Sequence, residues 1–104
     1  MKCFYGGTFM SREELKNVGI NYPIKLEYYK TETQDVINKS KVFYGIEVIK
    51  TEYAEEVKTE IVELGNITED EKQLEIVLDL MKSNKVTPIT AEYIVEDFLN
   101  KKCN

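Results

Sequence analysis

"IKLEYYK", residues 24–30, is the stretch that decides the fold class. Apolar or aromatic side chains stand at Ile24, Leu26 and Tyr28, and a charged residue separates each from the next. Successive side chains of a β-strand point to opposite faces of its sheet, so this two-residue period predicts a strand with one buried face. The chain therefore contains a sheet, and the flanking sequence decides what covers it.

Two later stretches repeat the alternation, at residues 42–48 and from residue 57 onward. The polar turn "DVINKS", residues 35–40, separates the first strand from the second. Consecutive strands with short connections most simply form an antiparallel meander, in which one face is covered and the other is wetter. We therefore predict antiparallel strands over residues 23–65.

Two positions interrupt this strand pattern. The apolar residues of the third run change face at Val62 and Leu64, which predicts a β-bulge at that point. Gly45 lies inside the second run. A glycine in a strand interior usually marks a bulge or a close approach of two backbones, and we prefer that interpretation to a ligand site.

Residues 1–22 predict a small hairpin followed by a short helix. The Gly-Gly pair of "FYGGTF", residues 4–9, suits a two-residue turn, because both central positions need positive φ. A phosphate-binding loop would need further glycines and a lysine at fixed spacing, and these are missing. Ser11 and Glu14 have the spacing of a capping box, and Gly19 suits a left-handed helix end.

The first long helix is predicted within "NITEDEKQLEIVLDLMKSN", residues 66–84. Thr68 and Glu71 have capping-box spacing. Glu69, Asp70 and Glu71 place negative charge at the positive end of the helix dipole. A metal site is the alternative for these three acids, but Mg²⁺ or Ca²⁺ would need further oxygen ligands from elsewhere in the fold. The start of a helix accounts for all three.

The apolar residues of this helix cover an unusually wide arc. At 100° per residue they span about 200°, whereas an ordinary surface helix needs an apolar stripe of little more than about 100°. We therefore expect the helix to be covered on two sides, by the sheet and by either the last helix or a partner. The arc comprises Leu74, Ile76, Val77, Leu78, Leu80 and Met81.

A second helix is predicted within "TPITAEYIVEDFLN", residues 87–100. Thr87 can cap it, Pro88 suits the first helical position, and Val86 can pack onto Ala91 as a hydrophobic staple. Its apolar side chains gather within about 140°, which indicates a helix that faces the core. Tyr93 falls outside this stripe among charged neighbours, as either an ordinary exposed aromatic or a contact residue.

Length and composition favour one globular domain over residues 1–104. Of these residues, 42% are hydrophobic and 32% are charged, which is ordinary for a folded domain. The predicted fold class is α+β. An antiparallel meander of three or four strands precedes two C-terminal helices over residues 68–102, and both helices pack on one face of the sheet.

Several function classes are disfavoured by residue content. The chain has no histidine, the residue used most often for acid–base catalysis and zinc binding near neutral pH. Its net charge is −5, and residues 47–79 carry eleven acidic side chains against three basic ones. Arg12 is the only arginine. Nucleic-acid binding depends on clustered lysine and arginine, so no nucleic-acid partner is predicted.

Membrane insertion and secretion are disfavoured as well. No apolar run approaches the roughly 20 residues that a membrane-spanning helix needs, and the amino terminus lacks the apolar segment of a secretory signal. Cys3 and Cys103 lie almost at the two ends of the chain, and we expect them to be reduced. These observations predict a cytoplasmic protein with no membrane partner.

The stretches "VFYGIEVIK" and "VTPITAEYIVEDFL" resemble a small uncharacterised domain family of spore-forming, low-GC Gram-positive bacteria. The resemblance covers residues 41–99, and the motifs that carry it are Tyr44-Gly45-Ile46 and the helix from Pro88 to Leu99. It implies a bacterial cytoplasmic origin. The family has no established activity, so the resemblance transfers no catalytic residue.

We predict from this sequence a small regulatory or adaptor protein that acts by binding another protein or itself, without catalysis. Leu78, Leu80 and Met81 of the wide arc would supply apolar contacts, and Tyr93 an aromatic anchor. Self-association would make the protein a homodimer. Glutamates of the acidic middle third would favour basic partners. No catalytic, cofactor-binding or metal-binding residue is predicted, and no cofactor.

Two other function classes stay open. The first is a small ligand-binding domain or enzyme that uses carboxylates and the seven tyrosines of the chain, which would need acids that converge in a pocket. The second is an acidic mimic that competes with nucleic acid for a basic partner, which the acidic middle third suggests.

Overall fold

The computed structural model describes the backbone of residues 1–103 and the side chains of residues 1–101. It confirms the α+β class, with an antiparallel sheet followed by two C-terminal helices. A single 3₁₀ turn, Lys16–Val18, follows the first short helix. The elements in chain order are β1 (Lys2–Met10), α1 (Arg12–Leu15), β2 (Ile24–Gln34), β3 (Val42–Tyr53), β4 (Val57–Thr68), α2 (Glu71–Ser83) and α3 (Pro88–Cys103).

The sheet has four strands in the order β1-β2-β3-β4, and every neighbouring pair is antiparallel. It is the predicted meander with β1 as the additional strand. Directly paired residues such as Tyr28 and Val48 share one face of the sheet. We call the face of Tyr28 the inner face, because α1, α2 and α3 supply the residues that pack on it.

The core lies between the inner face and the helices. The predicted alternation of β2 is confirmed, since Ile24, Leu26 and Tyr28 are all buried. The last helix faces the core as predicted, through Ala91 and Val95. The buried core residues are Leu15, Ile24, Leu26, Tyr28, Ile46, Val48, Ile67, Leu74, Val77, Leu78, Met81, Val86, Ala91 and Val95.

The predicted hairpin at residues 4–9 is wrong, because Gly6 and Gly7 lie within the continuous strand β1. Both glycines allow close packing instead of a turn. A Cβ atom on Gly6 would lie 2.8 Å from Cδ of Lys82, and a Cβ atom on Gly7 would lie 2.7 Å from the carbonyl oxygen of Leu26. The pairing of β1 with β2 is interrupted by a bulge at Tyr5.

The bulge of β4 lies further along the strand than predicted. Pairing with β3 is regular through Val62 and Leu64, so the face change there reflects apolar side chains on both faces. The irregularity falls at residues 65–67, opposite Gly45, and Asn66 has a positive φ of 52°. The prediction for Gly45 is confirmed, since a Cβ atom there would lie 2.5 Å from the carbonyl oxygen of Leu64.

The residues that begin and end the helices were predicted with partial success. The side chain of Ser11 accepts a hydrogen bond from the Glu14 amide at 3.2 Å, and Gly19 is left-handed, both as predicted. The capping box of Thr68 and Glu71 is wrong, because Asp70 caps α2. The Asp70 carboxylate accepts from the amides of residues 72 and 73 at 3.1 and 3.3 Å.

Tyr28 joins the sheet to the connection between the two long helices. Its ring is fully buried, and its hydroxyl donates a hydrogen bond of 2.7 Å to the carbonyl oxygen of Val86. Burial raises the pKa of Tyr28 to about 12. Because the fold favours the neutral phenol, its contribution to stability is complete below the ordinary tyrosine pKa of about 10 and is lost as the pH rises toward 12.

We expect Tyr28→Phe to lower the free energy of unfolding at pH 7 by about 1 kcal/mol, because the Val86 carbonyl loses its buried donor. Between pH 7 and pH 11 the wild type should lose more stability than the variant. Urea unfolding followed by circular dichroism at both pH values measures this. Tyr93→Phe is the matched control at an exposed position. Equal alkaline losses in wild type and Tyr28→Phe would contradict the assignment.

Candidate functional site

The wide arc of α2 divides into a buried part and an exposed part. Leu78 and Met81 are fully buried in the core, so the expectation that they contact a partner is wrong. Leu80 is 55% exposed and Ile76 is similarly exposed. The sequence pattern placed these residues on one continuous arc, whereas the sheet is broad enough to cover only part of it.

Leu80 lies beside an open groove between the end of α2 and the start of α3, which we call the helix groove. Its volume is about 460 Å³. Leu80 and Ile94 contribute apolar side chains from the two helices, and the buried Val86 contributes from the connection between them. The remaining lining residues are Asn84, Lys85, Thr87 and Thr90.

The tight end of α2 shapes this groove. Asn84 donates hydrogen bonds from its amide and its side chain to the carbonyl oxygen of Leu80, at 3.1 and 2.8 Å. Lys85 then adopts a positive φ of 51°, the conformation that commonly ends a helix. The amide of Val86 turns back to the carbonyl oxygen of Met81 at 3.0 Å. The chain therefore reverses within a few residues, and α3 starts at Pro88 as predicted.

Tyr93 is 67% exposed on α3, outside the apolar stripe as predicted. It does not line the helix groove. Ile89, one helical turn earlier, is also exposed. The role of Tyr93 as an aromatic anchor stays a prediction.

The second apolar surface is the outer face of the sheet, opposite the helices. The register places on it two side chains of β1, Phe4 and Phe9, at one edge. At the other edge it places Tyr53 of β3 and Val57 and Ile61 of β4. We call these five residues the outer-face patch. Their exposed fractions are, in the same order, 63, 58, 39, 62 and 57%.

Charged side chains lie between the two edges of this patch. Lys25 and Glu27 of β2 form an ion pair of 2.9 Å. At one end of the face, Lys2 Nζ lies 2.7 Å from Glu47 Oε2 and 4.7 Å from the centroid of the Tyr29 ring. Glu47 is almost fully buried, so this contact ties the start of β1 to β3 across the sheet.

Several carboxylates and a tyrosine meet between α2 and the inner face. Lys30 Nζ bonds Glu71 Oε2 at 2.8 Å and Glu75 Oε2 at 3.1 Å. The Tyr5 hydroxyl donates to Asp79 Oδ1 at 2.7 Å. We call these five residues the docking cluster. Their polar groups are paired with one another, so the cluster attaches α2 to the sheet.

The protonation states of the docking cluster fit a structural role. Burial, together with the hydrogen bond to Asp79, raises the pKa of Tyr5 to about 12. The hydrogen bond to Glu71 raises the pKa of Lys30 above its ordinary value. Tyr5 therefore stays neutral and Lys30 stays charged near neutral pH. Neither group is suited to accept a proton there, which is what a general base would have to do.

The glutamates of the acidic middle third are dispersed. Glu52 and Glu60 lie on the inner side near Lys50, which is 3.0 Å from Glu52 Oε1. Hydrogen bonds from Lys50 and Tyr22 hold the pKa of Glu52 below its usual range. Glu63 lies on the outer face opposite Glu47. These glutamates lie on both faces of the sheet, and the role of an acidic mimic stays a hypothesis.

Within the described part of the chain, no group of three or more Asp, Glu, Cys or His side chains could hold a metal ion. Of the three acids predicted to start α2, Asp70 caps the helix and Glu71 pairs with Lys30. Cys3 is exposed and free. The side chain of Cys103 lies outside the described residues, so the expected state of that thiol is not tested. Among the described helices none has the length and apolar character to cross a membrane.

The chain matches the model of a family of unknown function, DUF6514, over residues 9–101. The chain belongs to this family. The sequence predicted an uncharacterised family over residues 41–99, and the DUF6514 match extends the relationship to the end of β1, to α1 and to β2. No curated protein and no solved structure matches the chain. The bacterial source stays a prediction, and the residue roles rest on the geometry described above.

We expect Lys30→Met to lower the free energy of unfolding by about 1 kcal/mol, because Glu71 and Glu75 then lie at the helix–sheet contact without their cation. The loss should shrink in high salt, which screens the remaining repulsion. Urea unfolding at low and high ionic strength measures both effects. Lys72→Met, at an exposed position of the same helix, is the control and should change stability little. A loss that is independent of salt would contradict this account.

Proposed function

We propose that this DUF6514 protein is a small cytoplasmic adaptor or regulatory protein that binds another protein through the helix groove and catalyses no reaction. The observation that carries the proposal is the exposure of Leu80 beside Ile94, in a groove on the helical layer. An exposed leucine alone needs no explanation, but an exposed leucine that lines a concave surface offers a site for an apolar side chain.

The chemistry of the groove supports binding over catalysis. Its lining offers apolar surface from Leu80, Val86 and Ile94, and hydrogen-bonding groups from Asn84 and the two threonines. Lys85 is the only lining residue that carries a formal charge. Catalytic sites usually bring several titratable groups together, and this groove does not.

The matching partner is a short amphipathic segment with one or two apolar anchors. Grooves between helices commonly accept such segments, with the anchors inserted and polar side chains at the rim. A volume of about 460 Å³ holds a small number of side chains. Lys85 Nζ at the rim lies 3.9 Å from Glu14 Oε2 of this chain, so the apolar anchors carry the proposed contact.

Placement in the cytoplasm is part of the proposal. Cys3 is an exposed thiol without a disulfide partner among the described residues. Exposed thiols persist in reducing compartments and are readily oxidised elsewhere.

Affinity capture from native bacterial extract tests the proposal. A protein captured by wild type should be lost with Leu80→Lys, because the introduced charge cannot enter an apolar groove without losing its hydration. Ile89→Lys is the matched control, since Ile89 is exposed on α3 but outside the groove. The captured protein, once purified, should bind Leu80→Lys at least about tenfold more weakly than wild type, equivalent to about 1.4 kcal/mol.

Circular dichroism must first show that both variants fold. Binding that Leu80→Lys retains, or loses to the same extent as Ile89→Lys, would overturn the assignment of the groove. A thermal-shift screen with metabolites distinguishes the ligand-binding alternative. A metabolite that raises the melting temperature of wild type but not of Leu80→Lys would assign the groove to a small molecule instead.

A further inference from the structure

The outer-face patch lies on the side of the sheet that the helices leave uncovered. An antiparallel sheet with helices on one side usually turns polar side chains toward water on the other. Here the uncovered side carries two phenylalanines, a tyrosine, a valine and an isoleucine that are all substantially exposed. The helices account for the inner face alone, so the outer face needs a different partner.

The size of the patch matches half of a protein interface. A whole aromatic side chain presents roughly 150–250 Å², so the exposed fractions of the five residues amount to roughly 500 Å² of apolar surface. Lys25 and Glu27 divide this area between the two edges of the sheet, so each part is smaller than the roughly 300–600 Å² found for the largest contiguous apolar patch of monomeric proteins. A standard interface buries roughly 800 Å² per partner, of which a little more than half is apolar. The patch would supply that apolar part.

One row of paired residues across the sheet has a residue without a side chain at one edge and a large apolar side chain at the other. We call them the notch and the projection. Gly7, Glu27, Ile49 and Ile61 pair in succession on β1, β2, β3 and β4. Gly7 has no side chain and lies between Phe4 and Phe9, which together with β2 residues line a depression of about 280 Å³. Ile61 projects at the opposite edge of the same row.

We propose that a second copy of this chain covers the outer face, in a symmetric dimer whose sheets pack face to face. A two-fold axis parallel to the strands, between β2 and β3, places β1 of each copy against β4 of the other. Ile61 of one copy then lies over the Gly7 notch of the second copy, and the same contact occurs twice. Aligned sheets of this kind pack about 10 Å apart.

Lys25 and Glu27, on the second strand of the face, are compatible with this arrangement, and the same register places Glu63 of one copy opposite Phe4 of the other. The axis places β2 opposite β3, so Lys25 lies near Thr51 of the second copy and Glu27 lies near Ile49. No like charges are stacked, and the Lys25–Glu27 ion pair stays within its own chain. A partner of other chemistry would need its own notch and projection at this spacing, whereas a second copy supplies both.

Sedimentation equilibrium of the full chain tests the dimer at protein concentrations of roughly 1–200 µM, at which a dimer with a micromolar or tighter dissociation constant is populated. Wild type should approach twice the monomer mass of 12.1 kDa. Ile61→Lys should be folded and monomeric, with a dissociation constant raised at least about tenfold. Leu80→Lys is the control, because Leu80 is equally exposed but lies on the helical layer, and it should remain dimeric.

A mixing experiment tests whether β1 of one copy packs against β4 of the other. Phe9→Lys and Ile61→Glu should each be monomeric alone, since each places an unpaired charge in both copies of the contact. When the two variants are mixed, one contact regains native residues on both sides and the other gains opposite charges. We therefore expect a heterodimer of the two variants.

Four outcomes would overturn the proposal. The first is a wild type that stays monomeric over the whole concentration range. The second is a dimer that Leu80→Lys dissociates and Ile61→Lys does not, which would place the interface on the helices. The third is a dimer that both variants retain, which would indicate pairing of strand edges. The fourth is a mixture that stays monomeric.

Should Ile61→Lys fail to fold, Val57→Lys is the substitute. A result that rules out the dimer would not bear on the proposed role of the helix groove, because the two surfaces lie on opposite layers.

Discussion

The hydrogen bond from Tyr28 to the Val86 carbonyl is the contact on which the arrangement of the two layers depends. Tyr28 stands in the middle of the inner face, and Val86 lies in the connection between α2 and α3. A buried carbonyl without a donor is costly, so this bond fixes where the chain reverses above the sheet. That position in turn fixes the helix groove, because Val86 lines it between Leu80 and Ile94.

Sequence periodicity predicted the elements well because each depends on local chemistry. Alternation identified β2, β3 and β4, and the residues at helix ends identified α1 and α3. The Gly6-Gly7 pair was wrongly predicted as a turn, since a glycine that permits a turn and one that permits close packing have the same local sequence. The residue that caps α2 is Asp70 and not the predicted Thr68, for a similar reason. Several acids and a threonine near the start of this helix could each serve as its cap.

The candidate surfaces could be predicted only in part. Helical periodicity placed Leu78 and Leu80 on one arc, and only the position of the sheet separates the buried residue from the exposed one. Apolar side chains on both faces of β4 were visible in the sequence at Ile61 and Val62, but suggested a bulge. A strand that is apolar on both sides is equally the pattern of a sheet covered on both sides. The position of the Gly7 notch opposite Ile61 could not be predicted, because it depends on how the four strands pair and not on the sequence of any one strand.

The distribution of charge and apolar surface supports the proposed binding role. The titratable groups of the docking cluster are paired across the contact between α2 and the sheet, where they hold the two layers together. The helix groove and the outer-face patch instead expose leucine, isoleucine and phenylalanine beside a small number of polar side chains. Catalysis needs polar groups that are held in place but left unpaired until the substrate arrives. Binding between proteins needs apolar side chains that are held in place and accessible, and this is what the helix groove and the outer-face patch provide on opposite sides of one thin domain.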